Sequence, residues 1–387
     1  MKTITPSATL AINEMARKKQ EAGEKVYNFA AGDPILKTHP KILEKVQRRL
    51  ENPLFPYPPV GGIHELRALA ANWMNATYNT SYKKEQVLVT SGGKFAIFAL
   101  VYALANPGDE VLIIAPYWVS YPEIVKIAGA TPKILPTTEK AHWKIRGNDL
   151  AQYATQKTRF LLFNNGSNPS GALYTRKEIE EILIAAKELG IMVISDEVYS
   201  GLTYDGNAFI SLGSFPAYVD SLAIVQSCSK NFGMTGWRVG FALAPTHIIN
   251  TLMLLDGQTT TGVPTITQFA ALGALEHAQE VQTYLRDNMH HRRNLFVDTY
   301  NALFTQKIEK PPSTIYSFIS LAALGVTSSI SSISFCEQLI ASENVAAVPG
   351  EAFGAPGYVR FAFSIAAEEI ARGVEALHAF VKRSFTS

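Results

Sequence analysis

Seven short apolar runs constrain the fold of this chain more than any other feature. Each run is rich in valine, isoleucine or leucine and is continuous rather than alternating, which is typical of strands covered on both faces. The runs are QVLVT (86–90), EVLIIA (110–115), PKIL (132–135), RFLLF (159–163), IMVIS (191–195), LAIVQ (222–226) and VGFAL (239–243). Helical patterns lie between most of them, including RKEIEEILIAAKELG, which ends at Gly190, where a helix C-cap would fall. This alternation predicts an α/β fold built on a mostly parallel, seven-stranded sheet.

A change of pattern near residue 285 predicts a second domain, as does the length of 387 residues. A basic helical stretch begins there, and PPSTIYSFIS and a helix-like tail follow it. We expect residues 45–284 to form a large domain and residues 285–387 a smaller α+β domain. Residues 1–44 are expected to form an N-terminal arm that joins the smaller domain. The Pro-rich segment LFPYPPVGG (54–62) is predicted to be an ordered loop, because it is too short for a linker.

Charge, cysteine content and the length of the apolar runs limit the classes of partner that we expect for the protein. The formal net charge is +2, from 35 Lys and Arg against 33 Asp and Glu, so no global field favours nucleic acid or a membrane surface. The two cysteines, Cys228 and Cys336, are too few for a disulfide framework, and no Cys/His cluster has zinc spacing. The first residues lack the apolar segment of a signal peptide, and no run approaches a membrane span. We therefore expect a cytoplasmic protein with no metal, nucleic-acid or membrane partner.

Polar residues follow five of the predicted strands. Ligands of open parallel sheets bind outside the carboxyl ends of the strands, so these residues are candidates for one site. They are Gly92, Gly93 and Lys94 after the first strand, Trp118 after the second, Asn168 after RFLLF, Asp196 and Tyr199 after IMVIS, and SCSKNFGMTGWRVG (227–240) after LAIVQ. Each set has a simpler interpretation by itself, such as a tight turn, a core tryptophan or a solvated helix start. Five sets at one edge of a sheet are hard to assign to chance.

The stretch SCSKNFGMTGWRVG is suited to an anion with a reactive amine beside it. Its Ser227, Ser229 and Arg238 are typical phosphate ligands, and the amides of Gly93 and Lys94 would add a helix N-terminus. Lys230 would then lie beside the phosphate.

The remaining candidates fit pyridoxal phosphate. This cofactor needs a lysine for a Schiff base, here Lys230, and a carboxylate, here Asp196, that keeps its ring nitrogen protonated. Tyr199 and Asn168 could bond the ring oxygen, and Trp118 could stack on the ring.

With these motifs the chain resembles the class I aminotransferases of fold type I, and it is most similar to their bacterial aspartate aminotransferase branch. SCSKNFGMTGWRVG satisfies the family's lysine signature at every constrained position. Over nearly the whole chain the other motifs follow in the family's order: GDP (32–34), YPPVGGIHELR (57–67), VTSGGK (89–94), PYWVSYPE (116–123), SNPSGALY (167–174), SDEVY (195–199), and VPGEAFG with VRFAFS (348–364).

The resemblance implies a role for each matched residue. It implies that Lys230 carries the cofactor, that Asp196 pairs with its ring nitrogen, and that Tyr199 and Asn168 contact its ring oxygen. The phosphate would be held by residues that include Tyr57 from the other subunit of a homodimer with shared active sites: Gly92, Gly93, Lys94, Ser227, Ser229, Arg238 and Tyr57. The substrate would meet Gly32, Lys94, Trp118, Asn168 and Arg360, with Arg360 on the α-carboxylate.

The implied activity is ping-pong transamination between an L-amino acid and a 2-oxo acid. Lys94 is the candidate for the distal carboxylate of aspartate or glutamate, which makes these the expected substrates. Family members commonly have Gly-Ala before Phe-Tyr where this chain has Thr314-Ile315-Tyr316, so we expect bulkier residues near the substrate.

Alternatives on the same scaffold stay open at this point. They are an aminotransferase for aromatic amino acids, alanine or methionine, a β-eliminating lyase, and a cyclopropane-forming synthase. A pyridoxal phosphate-sensing regulator is disfavoured, because the chain has neither a basic arm nor spare length for a DNA-binding module.

Overall fold

The computed structural model describes residues 8–385, in which thirteen α-helices and twelve strands alternate. The strands are β1 (Tyr27–Asn28), β2 (Val87–Thr90), β3 (Glu110–Ile114), β4 (Thr131–Leu135), β5 (Thr158–Asn164), β6 (Met192–Asp196), β7 (Leu222–Ser227), β8 (Gly240–Leu243), β9 (Tyr316–Ser320), β10 (Val345–Ala346), β11 (Val348–Pro349) and β12 (Tyr358–Ala362). The helices are α1 (Ala8–Glu21), α2 (Pro40–Leu50), α3 (His64–Tyr78), α4 (Gly93–Leu104), α5 (Tyr121–Ala128), α6 (Gly147–Tyr153), α7 (Arg176–Glu188), α8 (Cys228–Asn231), α9 (Thr246–Gly257), α10 (Thr265–Glu276), α11 (Ala278–Leu303), α12 (Ser332–Glu343) and α13 (Ala367–Phe385).

The seven apolar runs form one seven-stranded sheet in the order β2-β8-β7-β6-β5-β3-β4. The pairs among β3, β4, β5, β6 and β7 are parallel, whereas β8 is antiparallel to both β2 and β7. Each predicted run agrees with its strand to within one residue at either end. The predicted α/β fold with a mostly parallel sheet is therefore confirmed.

The sheet lies between two apolar cores, which explains why its strands are continuously apolar. On β5, Leu161 packs into one core and its neighbour Leu162 into the other, and on β7 Ile224 and Val225 divide in the same way. Successive side chains of a strand point to opposite faces, so a strand covered on both faces needs an apolar residue at every position.

Two smaller sheets accompany the large one. One is antiparallel with the order β11-β12-β9, and the other pairs β1 with β10 in parallel. Their apolar side chains form a further core with α11, α12 and α13. The N-terminal segment reaches this core through Phe29, as expected for an arm that joins a smaller domain. We propose on this basis that the chain has the two predicted domains.

The predicted boundary between residues 284 and 285 lies inside α11, which runs without a break from Ala278 to Leu303. The change in the sequence corresponds to a change of packing partners along this helix. Val281 belongs to a core of the large sheet, whereas Leu285, one turn later, belongs to the core of the smaller sheets. One rigid helix therefore connects the two parts of the molecule.

The Pro-rich segment 54–62 contains neither helix nor strand but is hydrogen-bonded to its surroundings. Thr265 donates to the carbonyl of Pro56, and Val89 donates its amide to the carbonyl of Gly61. Within residues 8–385, no helix combines the length and the apolar character needed to cross a membrane.

Candidate active site

A cavity of about 460 Å3 lies at the carboxyl ends of the large sheet's strands, facing the smaller sheets. Residues at or just after the ends of β2, β5, β6 and β7 line it, and β9 and β12 contribute Tyr316 and Arg360. Most of the predicted site residues are among those that line it: Gly32, Gly93, Lys94, Trp118, Asn168, Asp196, Tyr199, Ser227, Ser229, Lys230, Arg238 and Arg360. Gly92 and Tyr57 are the two predicted residues that do not.

Lys230 lies in the cavity on α8, directly after β7. Its ammonium group donates a hydrogen bond to the carbonyl of Gly32. The pKa of Lys230 is lowered to about 8, mainly by burial and in part by the positive charges of Arg360 and Arg238, while Asp33 raises it. At pH 7 about a tenth of Lys230 is therefore a neutral amine, far more than for an ordinary lysine, and this is the nucleophilic and basic form.

Asp196 ends β6 as a buried carboxylate with two hydrogen-bond donors. The Tyr121 hydroxyl donates to its Oδ2 at 2.6 Å, and the Val198 amide donates to its Oδ1 at 3.3 Å. Burial raises the pKa of Asp196 to about 6, even though both hydrogen bonds lower it. The carboxyl is ionised at pH 7 at an energetic cost, so the site favours a cation beside it.

The N-terminus of α4 meets Arg238 and two serines at one wall of the cavity. Gly92 precedes the helix with φ +81°, and a Cβ added there would lie 2.8 Å from the Arg238 guanidinium. A side chain at this position would therefore collide with Arg238, which lines the cavity. The Ser227 hydroxyl accepts the amide of Ser229 at 3.1 Å. Helix-terminal amides, hydroxyls and a guanidinium together form a cradle for an anion.

Arg360 presents a buried positive charge to the cavity. It is 2% exposed, and its guanidinium lies 4.3 Å from the ring centroid of Tyr316 and 4.9 Å from that of Phe353. It donates to Asn168 Oδ1 at 3.1 Å and to the Ala30 carbonyl at 2.9 Å, while its Nε has no partner among the described residues. A buried cation without a carboxylate beside it is suited to an anionic ligand.

Tyr316 is the residue of the Thr314-Ile315-Tyr316 segment that lines the cavity. Its hydroxyl lies 2.8 Å from that of Tyr199, which connects the smaller sheets to the turn after β6. Thr314 and Ile315 are fully buried and are absent from the described residues that line the cavity. Of this segment only Tyr316 lines the cavity among the described residues, and Ile315 packs in the smaller sheets' core; an effect of Thr314 and Ile315 on the substrate stays a prediction.

Several cavity residues were not predicted from the sequence. Asn164 donates to the Asp196 carbonyl at 2.8 Å and accepts the Asn168 amide at 2.8 Å, so it connects two predicted residues. Its position directly after RFLLF was the available signal. Tyr121 does not line the cavity itself but donates to Asp196; it stands three residues after Trp118 in PYWVSYPE and could have been found from that spacing. Asp33, which accepts a hydrogen bond from Thr235 at 2.7 Å, belongs to the GDP motif.

Tyr57 lies outside the cavity. It is 89% exposed and belongs to a different groove, which Phe55 and Pro264 also line. Its predicted role concerns the site of another subunit and stays a prediction.

Comparison with known proteins agrees with the fold. Residues 24–377 match the family described as aminotransferase class I and II. An aspartate aminotransferase of Bacillus sp. (strain YM-2) is 32% identical over 384 residues, which cover 99% of this chain and 98% of the relative. The solved structure of aspartate aminotransferase from Thermus thermophilus with maleate has a TM-score of 0.91 at 31% identity and covers 97% of each chain.

An aromatic aminotransferase from Pyrococcus horikoshii OT3 is also similar, with a TM-score of 0.88 at 31% identity over 95% of this chain and 99% of that one. The chain therefore belongs to the class I and II aminotransferases, and the resemblance seen in its motifs is confirmed. The protein is an aminotransferase with the fold type I architecture.

Proposed function

We propose that this aminotransferase uses pyridoxal 5′-phosphate to exchange an amino group between aspartate or glutamate and a 2-oxo acid. One observation carries the proposal: the amine of Lys230 lies in a cavity that has an anion cradle at one wall and the buried Arg360 at another. A cofactor phosphate and a substrate carboxylate can thus be bound on either side of one reactive amine.

The residues present fit the cofactor. The amides that begin α4, the hydroxyls of Ser227 and Ser229, and Arg238 would hold its phosphate, where the lack of a Cβ at Gly92 leaves room for Arg238. Asp196 would balance the charge of its ring nitrogen. When bound, the cofactor withdraws electrons from the substrate's α-carbon and makes the α-proton acidic.

Lys230 would be the group that moves this proton. Its pKa of about 8 suits a general base near neutral pH, because the amine is partly neutral and is still basic enough to accept the α-proton. Arg360 would hold the α-carboxylate of the substrate, and its hydrogen bond to Asn168 fixes the guanidinium in place for a bidentate contact.

Lys94 is the residue that we propose for the distal carboxylate of the substrate. Three other cations line the cavity, Lys230, Arg238 and Arg360, and each already has a proposed role. The Lys94 ammonium lies 5.0 Å from the ring centroid of Trp118, so it stands beside the ring on which we expect the cofactor to stack. The names of the relatives, which include aspartate aminotransferases from several bacteria, support a dicarboxylate substrate.

The substrate proposal predicts a selective effect of Lys94→Ser. Lys94 is exposed in the free chain, so its interaction with a substrate carboxylate should be weaker than that of a fully buried charge pair. We expect the loss of its charge to weaken this interaction by about 1.4 kcal/mol or more, which lowers the half-reaction efficiency toward aspartate and glutamate about tenfold. Alanine and phenylalanine should change little, and Lys94→Arg should retain most of the preference because it keeps the charge. The measurement is single-turnover absorbance of the cofactor with each of the four amino acids.

Two outcomes of this experiment would contradict the proposal that Lys94 recognises aspartate and glutamate. An equal loss for all four amino acids would make Lys94 a phosphate-loop residue only. A wild type that prefers phenylalanine would favour the aromatic alternative, which the apolar Ile97 and Val119 in the cavity wall support. Release of free ammonia, in place of transfer of the amino group to the cofactor, would identify a lyase.

We also propose a homodimer in which Tyr57 completes the cofactor site of the partner subunit. A cytoplasmic location belongs to the same proposal, and it is supported by Cys228 and Cys336, which are both unpaired thiols.

A further inference from the structure

A buried polar network lies directly behind the cavity. Its members are Glu197, Ser200, Gln226 and Asn231, all at most 4% exposed. Each is the chain neighbour of a cavity residue: Glu197 follows Asp196, Ser200 follows Tyr199, Asn231 follows Lys230, and Gln226 precedes Ser227. The network therefore touches every segment that carries a proposed catalytic residue, although none of its members lines the cavity.

Asn231 is the hub of this network. Its amide donates to Ser200 Oγ at 2.9 Å and to Gln226 Oε1 at 2.8 Å, and its carbonyl oxygen accepts the Gly201 amide at 2.9 Å. All three hydrogen bonds leave α8 for other elements. The side chain next to Lys230 is thus bound both to β7 and to the turn that holds Tyr199.

The outer members extend the network to the end of β6. Gln226 accepts the Ser200 hydroxyl at 3.2 Å and donates to Glu197 Oε2 at 3.5 Å. Glu197 is fixed in turn by the Ser195 hydroxyl at 3.0 Å and the Leu212 amide at 2.9 Å. A fully satisfied buried network of this kind favours one arrangement of the segments that it joins.

We propose that Asn231 is a positioning residue, the hub of a buried frame that holds Lys230, Tyr199 and Asp196 at fixed separations. The four-residue helix α8 has too few internal hydrogen bonds to orient Lys230 by itself. The amine of Lys230 must reach both the cofactor and the substrate's α-carbon, so a small displacement of its backbone would misplace the proton transfer. This inference rests on the proposed role of Lys230.

The experiment compares Asn231→Ala with a matched control, Asn301→Ala, as cofactor-loaded enzymes. Asn301 makes two side-chain hydrogen bonds, both to the backbone of Ile308, and lies on α11, of which no described residue lines the cavity. Two measurements need no substrate: the melting temperature, and the pH titration of the absorbance of the Lys230-bound cofactor. The rate of the half-reaction is measured with the amino donor that the wild type accepts best.

We expect Asn231→Ala to lower the maximal half-reaction rate by about tenfold to a hundredfold. It should also shift the absorbance titration, while the apparent dissociation constant of the amino donor stays within about twofold because Arg360 is outside the network. Asn301→Ala should lower the melting temperature with neither change. Ser200→Ala removes a second member, and the double variant should lose little more than Asn231→Ala alone. If Asn231→Ala does not fold, Ser200→Ala provides the same readouts.

Equal titrations and rates for Asn231→Ala and Asn301→Ala would overturn the proposal and reduce the network to a stabilising core. Additive losses in the double variant would also contradict a single frame. A wild type that shows no absorbance of a lysine-bound cofactor overturns the proposed function before any variant is made, and the frame with it.

Discussion

Asp196, to which we assign a role in cofactor binding, also lowers the stability of the cofactor-free protein through its burial. Its carboxyl has an ordinary pKa of 3.8, which burial raises to about 6 in the folded protein. Between these two pH values the folded, cofactor-free protein binds a proton that the unfolded chain does not. The free energy of unfolding therefore falls as the pH rises through this window, and the loss is complete above pH 6.

The residue-scale prediction is that Asp196→Asn stabilises the cofactor-free protein near pH 7. The variant cannot ionise, so its advantage over the wild type should grow from pH 4 to pH 7 by up to about 3 kcal/mol. The same variant should lose most of its half-reaction rate, since a neutral amide cannot balance the charge of the ring nitrogen. Urea unfolding of both proteins at the two pH values measures the difference. A difference that does not vary with pH would show that Asp196 is not strained by burial.

At the scale of elements, α7 offers a test of stability that is separate from the site. Thr175 and Glu178 form a capping box at its N-terminus: Thr175 Oγ1 accepts the Glu178 amide at 3.3 Å, and Glu178 Oε2 accepts the Thr175 amide at 2.7 Å. Thr175→Ala should lower the free energy of unfolding by about 1 kcal/mol, with the half-reaction unchanged. Thr175→Ser keeps the hydroxyl and should retain most of that stability in the same urea titration. An equal loss in both variants would mean that the methyl group, not the cap, is responsible.

The elements were predictable because most strands of the large sheet are buried on both faces and so carry a continuous apolar signal, although the edge strand β4 is partly exposed. The same runs also predicted that Asp196 and Lys230 lie at the carboxyl-terminal edge of the sheet, since Asp196 ends β6 and Lys230 follows β7. The direction of β8 was not predictable, because an apolar run is the same in a parallel and an antiparallel strand. The pairing of Tyr199 with Tyr316, 117 positions apart, depends on how the smaller sheets pack and leaves no local pattern.

The whole molecule exposes an apolar surface around its Pro-rich loop. Leu54 is 72% exposed and Tyr57 89%, and Tyr57 lines a groove of about 550 Å3 together with Phe55 and Ile266. Large exposed apolar side chains that cluster in this way mark interaction surfaces. A second copy of the chain would cover this surface and would receive Tyr57 at its cofactor phosphate, which is the arrangement of the proposed homodimer.

Mixing variants tests whether the two subunits share their sites. A heterodimer of Tyr57→Ala with Lys230→Ala contains one site with both residues intact if Tyr57 acts across the interface, and none if it acts within its own subunit. Random mixing of equal amounts should then restore about a quarter of the wild-type activity from two weakly active parents. The reverse test mixes wild type with the double variant Tyr57→Ala, Lys230→Ala. If the sites are shared, this heterodimer has no intact site. If they are not shared, its wild-type subunit keeps one intact site. Purified heterodimers that retain half of the wild-type activity would therefore refute the exchange of Tyr57 between subunits.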